Sequence, residues 1–415
     1  MDTIFDIAII GGGIIGVSTA YNLQLAYPRM KILLLEKEED FAVHQTGHNS
    51  GVIHSGLYYK PGSKKAEYCV KGRRKLINFA KLHNVPFEIC GKVVIATDQS
   101  ELPHMDKIYA NGIANKTEGI EKISADQVKE IEPFVESIGG IHVASTGIID
   151  YVAVTKKMIQ LVREINPESK LLTGKNVTSL VHETGFKKII AHSEIFNAKN
   201  LIFCGGLQAD RLAKLDDIGL EERIVGFRGD YYELTPAARG KVKNLIYPVP
   251  DPRFPFLGVH FTRMINGEVE CGPNAVFTFK REGYNKTDFD FRDTYDALTY
   301  KGTWKLFLSN ISFGINEYRR AFSKKLYLKT LQRMIPSLIM EDIQPTKSGV
   351  RAQLLNDQGS TKDDFRIEFT EDSIHVLNAP SPAATACLQI GEEIRKISEE
   401  YFNLKDKVYN QACSN

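Results

Sequence analysis

The chain has 415 residues, of which 43% are hydrophobic and 25% are charged, and its formal net charge is +2. This composition is ordinary for a globular protein, and the length predicts two closely joined domains. The near-neutral charge gives no reason to expect a nucleic-acid partner, and no apolar run approaches the roughly 20 residues that span a bilayer. Six scattered cysteines without metal-ligand spacing predict free thiols, no bound metal and a cytoplasmic location. The first predicted strand begins at Ile4, which predicts that no targeting segment is present.

A glycine-rich turn follows the first predicted strand. The apolar run at 4–10 leads directly into Gly11, Gly13 and Gly16, and a helical pattern follows at 17–25. Gly11 permits a tight turn, Gly13 lets the backbone approach a pyrophosphate, and Gly16 lets the helix pack closely on the strand. Phosphate groups would lie at the N-terminus of this helix, where free N–H groups favour anions.

An acidic residue completes this pattern. A second apolar run, at 32–35, ends in Glu36, which lies 20 residues beyond Gly16. At this spacing a carboxylate meets the 2′-hydroxyl of a bound ribose. A glycine fingerprint alone is a weak signal, but the flanking strands and the acid together predict a dinucleotide site.

Further signals for the same domain come late in the chain. A buried strand pattern at 200–204 ends in Gly205 and Gly206, and a short strand is predicted at 373–377. After it, Ser381 as the cap and Pro382 in the first turn predict a helix that reaches about Tyr401. Between these signals, strand patterns at 91–97, 225–234 and 257–263 predict a second, β-rich unit.

The predicted fold class is therefore α/β. A discontinuous Rossmann-like domain that binds the cofactor takes residues 1–80, 150–215 and 341–415. A β-rich substrate-binding domain takes residues 81–149 and 216–340.

Small polar and aromatic residues are concentrated at 45–59. The segment holds two histidines, His48 and His54, with three glycines and two tyrosines. Glycines let a loop lie against a flat cofactor, and serine and asparagine side chains offer hydrogen bonds to its ring edges. The segment therefore predicts a cofactor contact, although any one of its histidines is also compatible with a structural role.

Polar residues also interrupt the predicted strands of the second unit. Arg228 and His260 lie in otherwise apolar patterns, and Arg351 follows Gly349 before the last strand. An inward-facing arginine needs an anion, which is either a substrate carboxylate or the carboxylate of an Asp or Glu. The sequence leaves both alternatives open for Arg228.

A basic amphipathic pattern occupies residues 319–335. Six lysines and arginines interleave with apolar residues that include Phe322, Leu326 and Leu331. The pattern predicts one helix, which either covers the substrate domain or contacts an anionic membrane surface. Just before it, apolar residues recur at helical spacing: Trp304, Leu308, Ile311 and Ile315.

The glycine turn, Glu36, the loop at 45–54 and the late glycine turn resemble the D-amino-acid-oxidase-like superfamily of FAD oxidoreductases. Within that superfamily, several stretches resemble the L-2-hydroxyglutarate oxidase/dehydrogenase family: 48–54, 247–252, 255–260, 272–276, 349–353 and 378–385. The resemblance covers nearly the whole chain, and the later stretches are its specific part. Beyond about Lys405 no motif matches.

The resemblance implies FAD as the cofactor, with its adenine half at the glycine turn and its isoalloxazine over the loop at 49–51. The turn at Gly349 and the helix start at 381–385 would approach the pyrimidine end of the ring, which becomes anionic on reduction. The cofactor-binding residues predicted on this basis are Gly11, Gly13, Ile14, Gly16, Glu36, Lys37, Thr46, His48, Asn49, Ser50, Gly51, Val177, Gly205, Gly206, Gly349, Ser381, Ala383 and Thr385.

The family is associated with the oxidation of L-2-hydroxyglutarate to 2-oxoglutarate, with electrons passed to oxygen or to membrane quinone. The expected chemistry is hydride transfer from the substrate Cα to flavin N5, while a histidine takes the hydroxyl proton; His54 is the first candidate and His260 the second. A five-carbon diacid needs two cationic anchors, predicted as Arg351 and Arg228. The expected partners are this small molecule and, through residues 319–335, the inner membrane surface and its quinone; no motif indicates a protein partner.

Three alternatives remain at this point. One is oxidation of an amine, as in glycine and sarcosine oxidases. Another is a dinucleotide-binding module without turnover, against which the polar loop and the arginines argue; NAD is disfavoured because nothing resembles a nicotinamide site. The third concerns His48, which precedes two small residues and a glycine, as does the flavin-linked histidine of sarcosine and dimethylglycine dehydrogenases. A histidine that only forms hydrogen bonds is the alternative to a covalent link.

Overall fold

The structure is a computed structural model that describes residues 3–251, 258–362 and 364–405. Residues 252–257, which include the start of the strand predicted at 257–263, and the tail beyond Lys405 lie outside the described residues. In chain order the strands are β1 (Ile4–Ile10), β2 (Ile32–Leu35), β3 (Val52–Ile53), β4 (Phe87–Glu88), β5 (Lys92–Ala96), β6 (Ile120–Ile123), β7 (Gly139–Val143), β8 (Gly147–Ile149), β9 (Lys170–Leu172), β10 (Val177–Glu183), β11 (Phe186–Ala191), β12 (Glu194–Phe203), β13 (Arg223–Gly229), β14 (Tyr232–Leu234), β15 (Leu245–Pro248), β16 (His260–Arg263), β17 (Val269–Gly272), β18 (Val276–Phe277), β19 (Ile343–Pro345), β20 (Gly349–Leu355), β21 (Arg366–Thr370) and β22 (Ser373–Asn378).

The helices connect these strands. They are α1 (Ile14–Ala26), α2 (Lys64–Leu82), α3 (Leu102–Ala114), α4 (Ala125–Ile131), α5 (Tyr151–Ile165), α6 (Ala209–Leu215), α7 (Phe291–Leu298), α8 (Lys301–Ser309), α9 (Ile311–Phe322), α10 (Lys324–Leu331) and α11 (Cys387–Tyr401). Short 3-10 turns lie at Gln99–Glu101, Gly206–Gln208, Arg239–Lys241 and Met340–Asp342.

The first sheet is assembled from three separate stretches of the chain. Its order is β10-β11-β12-β1-β2-β9, with β22 beside the end of β12 and β21 beside β22. β1 runs parallel to both β2 and β12, so their carboxyl ends meet at one edge of the sheet. Ile7, Ile9 and Leu34 are fully buried, which explains the uninterrupted apolar runs of the parallel strands. The predicted discontinuous Rossmann-like fold is confirmed.

Helices α1, α2, α5 and α11 contribute to one apolar core with this sheet. The last helix packs on the first, and a Cβ at Gly391 would lie 2.5 Å from Ser18 Oγ. This close approach explains the glycine in α11. The C-terminal strand and helix therefore return to the N-terminal unit, as the late sequence signals predicted.

The second sheet forms the β-rich unit. Its order is β19-β14-β17-β16-β15-β5-β7-β6, and a smaller sheet has the order β18-β13-β20. β13 pairs with β20 from Arg223, opposite Leu355, to Gly229, opposite Gly349. β19 pairs with β14, and β20 pairs with β13. Since β19 and β20 follow residue 341 and their partners precede it, these pairings cross the domain boundary predicted there. The boundaries themselves stay predictions.

The prediction of one helix over the basic stretch is wrong. α9 ends at Phe322 and α10 begins at Lys324, because Ser323 adopts an extended conformation and its side chain accepts a hydrogen bond from Leu326 N at 3.3 Å. Leu331 and Ile335 are fully buried in the core of the second sheet. Leu331 therefore cannot enter a membrane surface, although Phe322 and Leu326 are exposed.

The predicted start of the last helix is also wrong. α11 begins at Cys387, and residues 381–386 form turns before it. Thr385 Oγ1 lies 3.1 Å from His54 N, 2.9 Å from Tyr151 Oη and 3.2 Å from Val52 O. These tertiary hydrogen bonds hold the segment against β3, so Ser381 does not cap the helix.

Candidate active site

A cavity of about 1300 Å³ is lined by residues of both main sheets. Most of the predicted site residues line it: Gly11, Gly13, Ile14, Glu36, Lys37, Thr46, His48, Asn49, Ser50, His54, Val177, Gly205, Gly206, His260, Gly349, Arg351, Ser381, Ala383 and Thr385. Gly16, Gly51 and Arg228 are not among its lining residues. The fold thus brings together residues that are more than 300 positions apart in sequence.

The glycine turn lies where β1 ends against β12. Gly11 has φ of +116°, and a Cβ there would lie 2.4 Å from the carbonyl oxygen of Cys204. Glycine is therefore required at this crossing of the two strands. A Cβ at Gly16 would lie 2.0 Å from Gly11 O, so a side chain there would clash with the turn. Gly11 and Gly13 line the cavity, whereas Gly16 packs against the turn outside it.

The N-terminus of α1 is directed at the cavity. Gly13 is its cap and lines the cavity with Ile14, whose N–H donates to Thr46 Oγ1 at 3.0 Å. The first turn carries no acidic side chain. Since free N–H groups and the helix dipole attract anions, this end of the cavity fits a pyrophosphate.

Glu36 is held rigidly beside the turn. Its Oε2 accepts a hydrogen bond from Gly12 N at 2.7 Å, and its Oε1 accepts one from Glu38 N at 3.0 Å. Each carboxylate oxygen retains a second lone pair, and the residue lines the cavity. The carboxylate is thus fixed in place to accept hydrogen bonds from a ribose.

The loop at 45–54 is shaped by its own side chains and by β20. Asn49 Nδ2 donates to Thr46 O at 2.6 Å and Asn49 Oδ1 accepts from Gly51 N at 2.8 Å, where Gly51 has φ of +63°. A Cβ at Gly349 would lie 2.6 Å from His48 O, so the strand passes directly against the loop. The two glycines position the cavity wall, which an alanine at either position would displace.

Two histidines, His54 and His260, line the cavity together with Arg351. The Nδ1 of His260 lies 2.8 Å from Gly258 O, and its ring stacks on Tyr247 with centroids 4.0 Å apart. Because a carbonyl can only accept, Nδ1 carries the proton and Nε2 has a free lone pair. His54 N is bonded to Thr385 Oγ1, which fixes the backbone from which its side chain reaches the cavity.

Both histidines are neutral near pH 7. Burial lowers the pKa of His54 to about 3, and the nearby charges of Lys92 and His260 act in the same direction. Burial likewise lowers the pKa of His260 to about 3, against the hydrogen bond to Gly258, with Arg351 contributing to the decrease. A neutral imidazole close to an arginine is able to accept a proton from an anion-bearing ligand.

Arg228 does not line the cavity, contrary to the prediction that it anchors a substrate carboxylate there. It is buried, its Nε donates to Asp230 Oδ1 at 2.7 Å, and Nη1 donates to Asn285 O at 2.8 Å. Asp230 N in turn donates to Asn274 Oδ1 at 2.7 Å. Of the two alternatives for Arg228, a substrate carboxylate or an acidic side chain of the protein, the structure shows the second, the salt bridge to Asp230.

Several cavity residues were missed by the sequence analysis. Tyr58 and Tyr59 follow the polar loop directly, Tyr231 immediately precedes β14, and Tyr247 lies on β15. Burial raises the pKa of each phenol, so all four are neutral donors. The tyrosine pair at the end of the loop was a usable signal, but no pattern marks the other two.

These observations fit a flavin dinucleotide. The glycine turn and the start of α1 suit a pyrophosphate, Glu36 suits a ribose, and the loop that carries Asn49 and Ser50 suits the edge of a flat ring. The cavity then continues to the tyrosines, the histidines and Arg351. An elongated cofactor with a small acid at its far end accounts for both parts of the cavity.

Comparison with known proteins gives the same result. The profile of the FAD dependent oxidoreductase family, DAO, matches residues 6–397. A protein of Indibacter alkaliphilus named L-2-hydroxyglutarate dehydrogenase is 43% identical over 388 residues, which cover 93% of this chain and 97% of that protein. A protein of the same name from Escherichia coli K12 is 43% identical over 395 residues, with 94% and 92% covered.

Solved structures share the fold. The L-alpha-glycerophosphate oxidase of Mycoplasma pneumoniae, solved with FAD bound, has a TM-score of 0.76 at 23% identity, and 94% of each chain is covered. The glycine oxidase of Geobacillus kaustophilus has a TM-score of 0.73 at 14% identity, and 95% of each chain is covered. The chain therefore belongs to the FAD-dependent oxidoreductase family and, within it, to the group of the L-2-hydroxyglutarate dehydrogenases, with FAD as its cofactor.

Proposed function

We propose that this chain oxidises L-2-hydroxyglutarate to 2-oxoglutarate. The observation that carries the proposal is the meeting of a neutral histidine pair and an arginine in one cavity with a dinucleotide turn. A hydroxy acid needs a base for its hydroxyl and a cation for its carboxylate, and these groups supply both. The relatives at 43% identity, which are named for this activity, support the choice of substrate.

FAD, when bound, supplies the acceptor for the hydride that leaves the substrate Cα. Arg351 binds a substrate carboxylate and thereby orients the hydroxyl-bearing carbon. The free lone pair of His260 Nε2 takes the hydroxyl proton, while Gly258 O stabilises the imidazolium through Nδ1–H. We place His260 ahead of His54 in this role because its tautomer is fixed by a carbonyl and because it lies near Arg351.

The substrate is tested by anaerobic bleaching of the flavin. L-2-Hydroxyglutarate is expected to remove the yellow absorbance, whereas the D-isomer, sarcosine and glycine are not, because the relatives at 43% identity are named for the L-hydroxy acid. Bleaching by an amine would instead indicate a glycine- or sarcosine-oxidase activity. A colourless protein that binds NAD would contradict the cofactor and the mechanism together.

We further propose that the flavin is not covalently linked to His48. The Nδ1 of His48 lies 2.7 Å from Ser348 O, and its ring stacks on Tyr284 at 3.8 Å, so both the ring face and one nitrogen are already in contact with protein. After acid precipitation the yellow colour is expected to stay entirely in the supernatant. Colour retained in the pellet, and lost on His48→Ala substitution, would show the covalent link.

We propose that the enzyme lies peripherally on a membrane and passes electrons to quinone. No described helix is long and apolar enough to cross a bilayer, so any contact is with the surface. The face formed by α8, α9 and α10, here called the α8–α10 face, exposes large apolar side chains: Trp304, Leu308, Ile311, Ile315, Phe322 and Leu326. Four cations of α9 and α10 form no salt bridge to a carboxylate in the described part of the chain: Arg319, Lys324, Lys325 and Lys329. This combination is typical of interfacial helices on anionic lipid.

Charge reversal tests this proposal. The Lys324→Glu/Lys325→Glu protein is expected to lose sedimentation with anionic liposomes, because each cation near such a surface contributes about 1 kcal/mol. Quinone-linked activity is expected to fall with it, while activity with a soluble dye is retained. The matched control is Lys71→Glu/Lys81→Glu on α2, which changes the net charge equally. Equal sedimentation of all three proteins, or of none, would contradict the membrane role and favour oxygen as the acceptor.

A further inference from the structure

Lys92, the first residue of β5, is a buried cation beside the cavity. Its side chain is 1% exposed. Its Nζ lies 4.6 Å from the ring centroid of Tyr58 and 5.0 Å from that of Tyr247. Both tyrosines line the cavity. The ammonium group is thus one aromatic ring away from the space in which the substrate is expected to bind.

The protein supplies little counter-charge to this group. Within the described ranges no carboxylate forms a salt bridge with Lys92, and the thiol of Cys69, whose pKa burial raises to about 12, supplies no negative charge near pH 7. Lys187, which is also fully buried, lies 2.5 Å from Asp216 Oδ1 and 2.5 Å from Asp372 Oδ1. Since an uncompensated buried charge is strongly unfavourable, a lysine kept in this state points to a functional role.

A second group near Lys92 also lacks a partner. The hydroxyl of Tyr58 is buried, and no hydrogen-bond partner for it exists among the described residues. A cation against the face of a phenol makes its O–H a stronger donor, because it withdraws electron density from the ring. Tyr58 is therefore able to donate to an anion in the cavity.

We propose that the missing counter-charge is the bound substrate, so that Lys92 is a specificity-determining cation that acts through Tyr58 and Tyr247 on a dicarboxylate. It takes the place of the second anchor that Arg228 does not provide. The inference rests on the proposed function, because it requires an anionic substrate. It also predicts that a proton is taken up when the acid binds.

The titration of the surrounding groups makes this proton uptake measurable. Burial lowers the pKa of Lys92 to about 7, so the lysine is part neutral in the free enzyme near that pH. The groups that face it do not change charge between pH 6 and 9: the pKa values of His54 and His260 are about 3, that of Cys69 is about 12, and those of Tyr58 and Tyr247 are raised. An anion favours the ammonium form, so affinity for the acid falls as the pH rises above 7.

The experiment uses the oxidised holoenzyme and glutarate, a five-carbon diacid without a hydroxyl group to oxidise. Binding is followed by the perturbation of the flavin spectrum, and proton uptake by calorimetry in two buffers of different ionisation enthalpy. Lys92→Met is expected to weaken glutarate binding by about tenfold or more and to abolish an uptake of about half a proton at pH 7. Lys107→Met, which removes an exposed lysine at the same cavity, is expected to change the affinity by less than about threefold.

The outcomes separate this inference from the proposed function. Wild-type affinity and proton uptake in Lys92→Met would overturn the role of Lys92 alone, whereas failure of the wild type to bind glutarate would overturn the acid substrate as well. The variant is expected to fold and to melt at the same or a higher temperature, because it removes an unpaired buried charge.

A pH series on a protein with native Lys92 gives a second, independent test. The series is run in a His104→Asn background, because His104 lines the same cavity. Weakening of glutarate binding by about tenfold for each pH unit above 7 supports the proposal. A flat profile between pH 6 and 9 overturns it.

Discussion

Replacement of His260 by asparagine is expected to lower kcat by about 10²- to 10⁴-fold, the usual contribution of a general base. Asparagine keeps a hydrogen bond to Gly258 O but has no lone pair of sufficient basicity to take the hydroxyl proton. The measurement is the rate of anaerobic flavin reduction by L-2-hydroxyglutarate at saturating substrate, which reports the chemical step without the electron acceptor.

His54→Asn is the matched variant, because His54 lines the same cavity and its pKa is lowered to the same value of about 3. We expect it to reduce the rate much less than His260→Asn does. The reverse order of the two effects would assign the base to His54. In either case kcat/KM is expected to stay level as the pH falls from 7 to 5, because the free histidine is protonated only near pH 3.

Replacement of Arg351 by methionine is expected to lower kcat/KM by about 30- to 4,000-fold, mainly through KM. The loss corresponds to roughly 2–5 kcal/mol for one partner of a buried hydrogen-bonded charge pair. The substrate carboxylate loses its cation, while the neighbouring His260 and the flavin site stay in place. The measurement is steady-state kinetics with a soluble dye, together with the flavin content of the purified variant.

Arg228→Lys is the control for this prediction. It retains a positive charge opposite Asp230, so the structural salt bridge is kept and KM is expected to change by less than about threefold. A rise in KM as large as that of Arg351→Met would show that Arg228 contributes to substrate binding after all. Loss of flavin from Arg351→Met would contradict the assignment of Arg351 to the substrate end of the cavity.

Local sequence patterns predicted the first two strands and the glycine turn that follows the first of them. The strands at Ile4–Ile10 and Ile32–Leu35 were located from apolar runs, because central parallel strands are buried on both faces. The glycine turn was located because its backbone conformation excludes a side chain: the φ of Gly11 and its contact with Cys204 leave no alternative. Such constraints lie within a few residues of sequence, so they are readable without a structure.

Helix limits were less predictable, because tertiary contacts set them. The basic stretch looked continuous from Arg319 onward, yet the chain breaks at Ser323 so that Leu331 can enter the core of the second sheet. Ser381 and Pro382 form a good local start signal, but the hydrogen bonds of Thr385 to β3 delay the helix to Cys387. In both places a contact with a distant segment outweighs the local preference.

The sequence by itself determined the α/β fold, FAD as the cofactor and the family, since these depend on short motifs whose residues act together within one turn or strand. Only the tertiary structure decided which charges face the cavity. Arg228 and Arg351 lie on paired strands and look equivalent in sequence, but Arg351 lines the cavity, whereas Arg228 pairs with Asp230 and does not. Lys92 looked like an ordinary strand residue, and only packing against Tyr58 and Tyr247 makes it a buried cation. The physical reason is that the free energy of a charge depends on its burial and its partners, and both are fixed by residues far away in the chain.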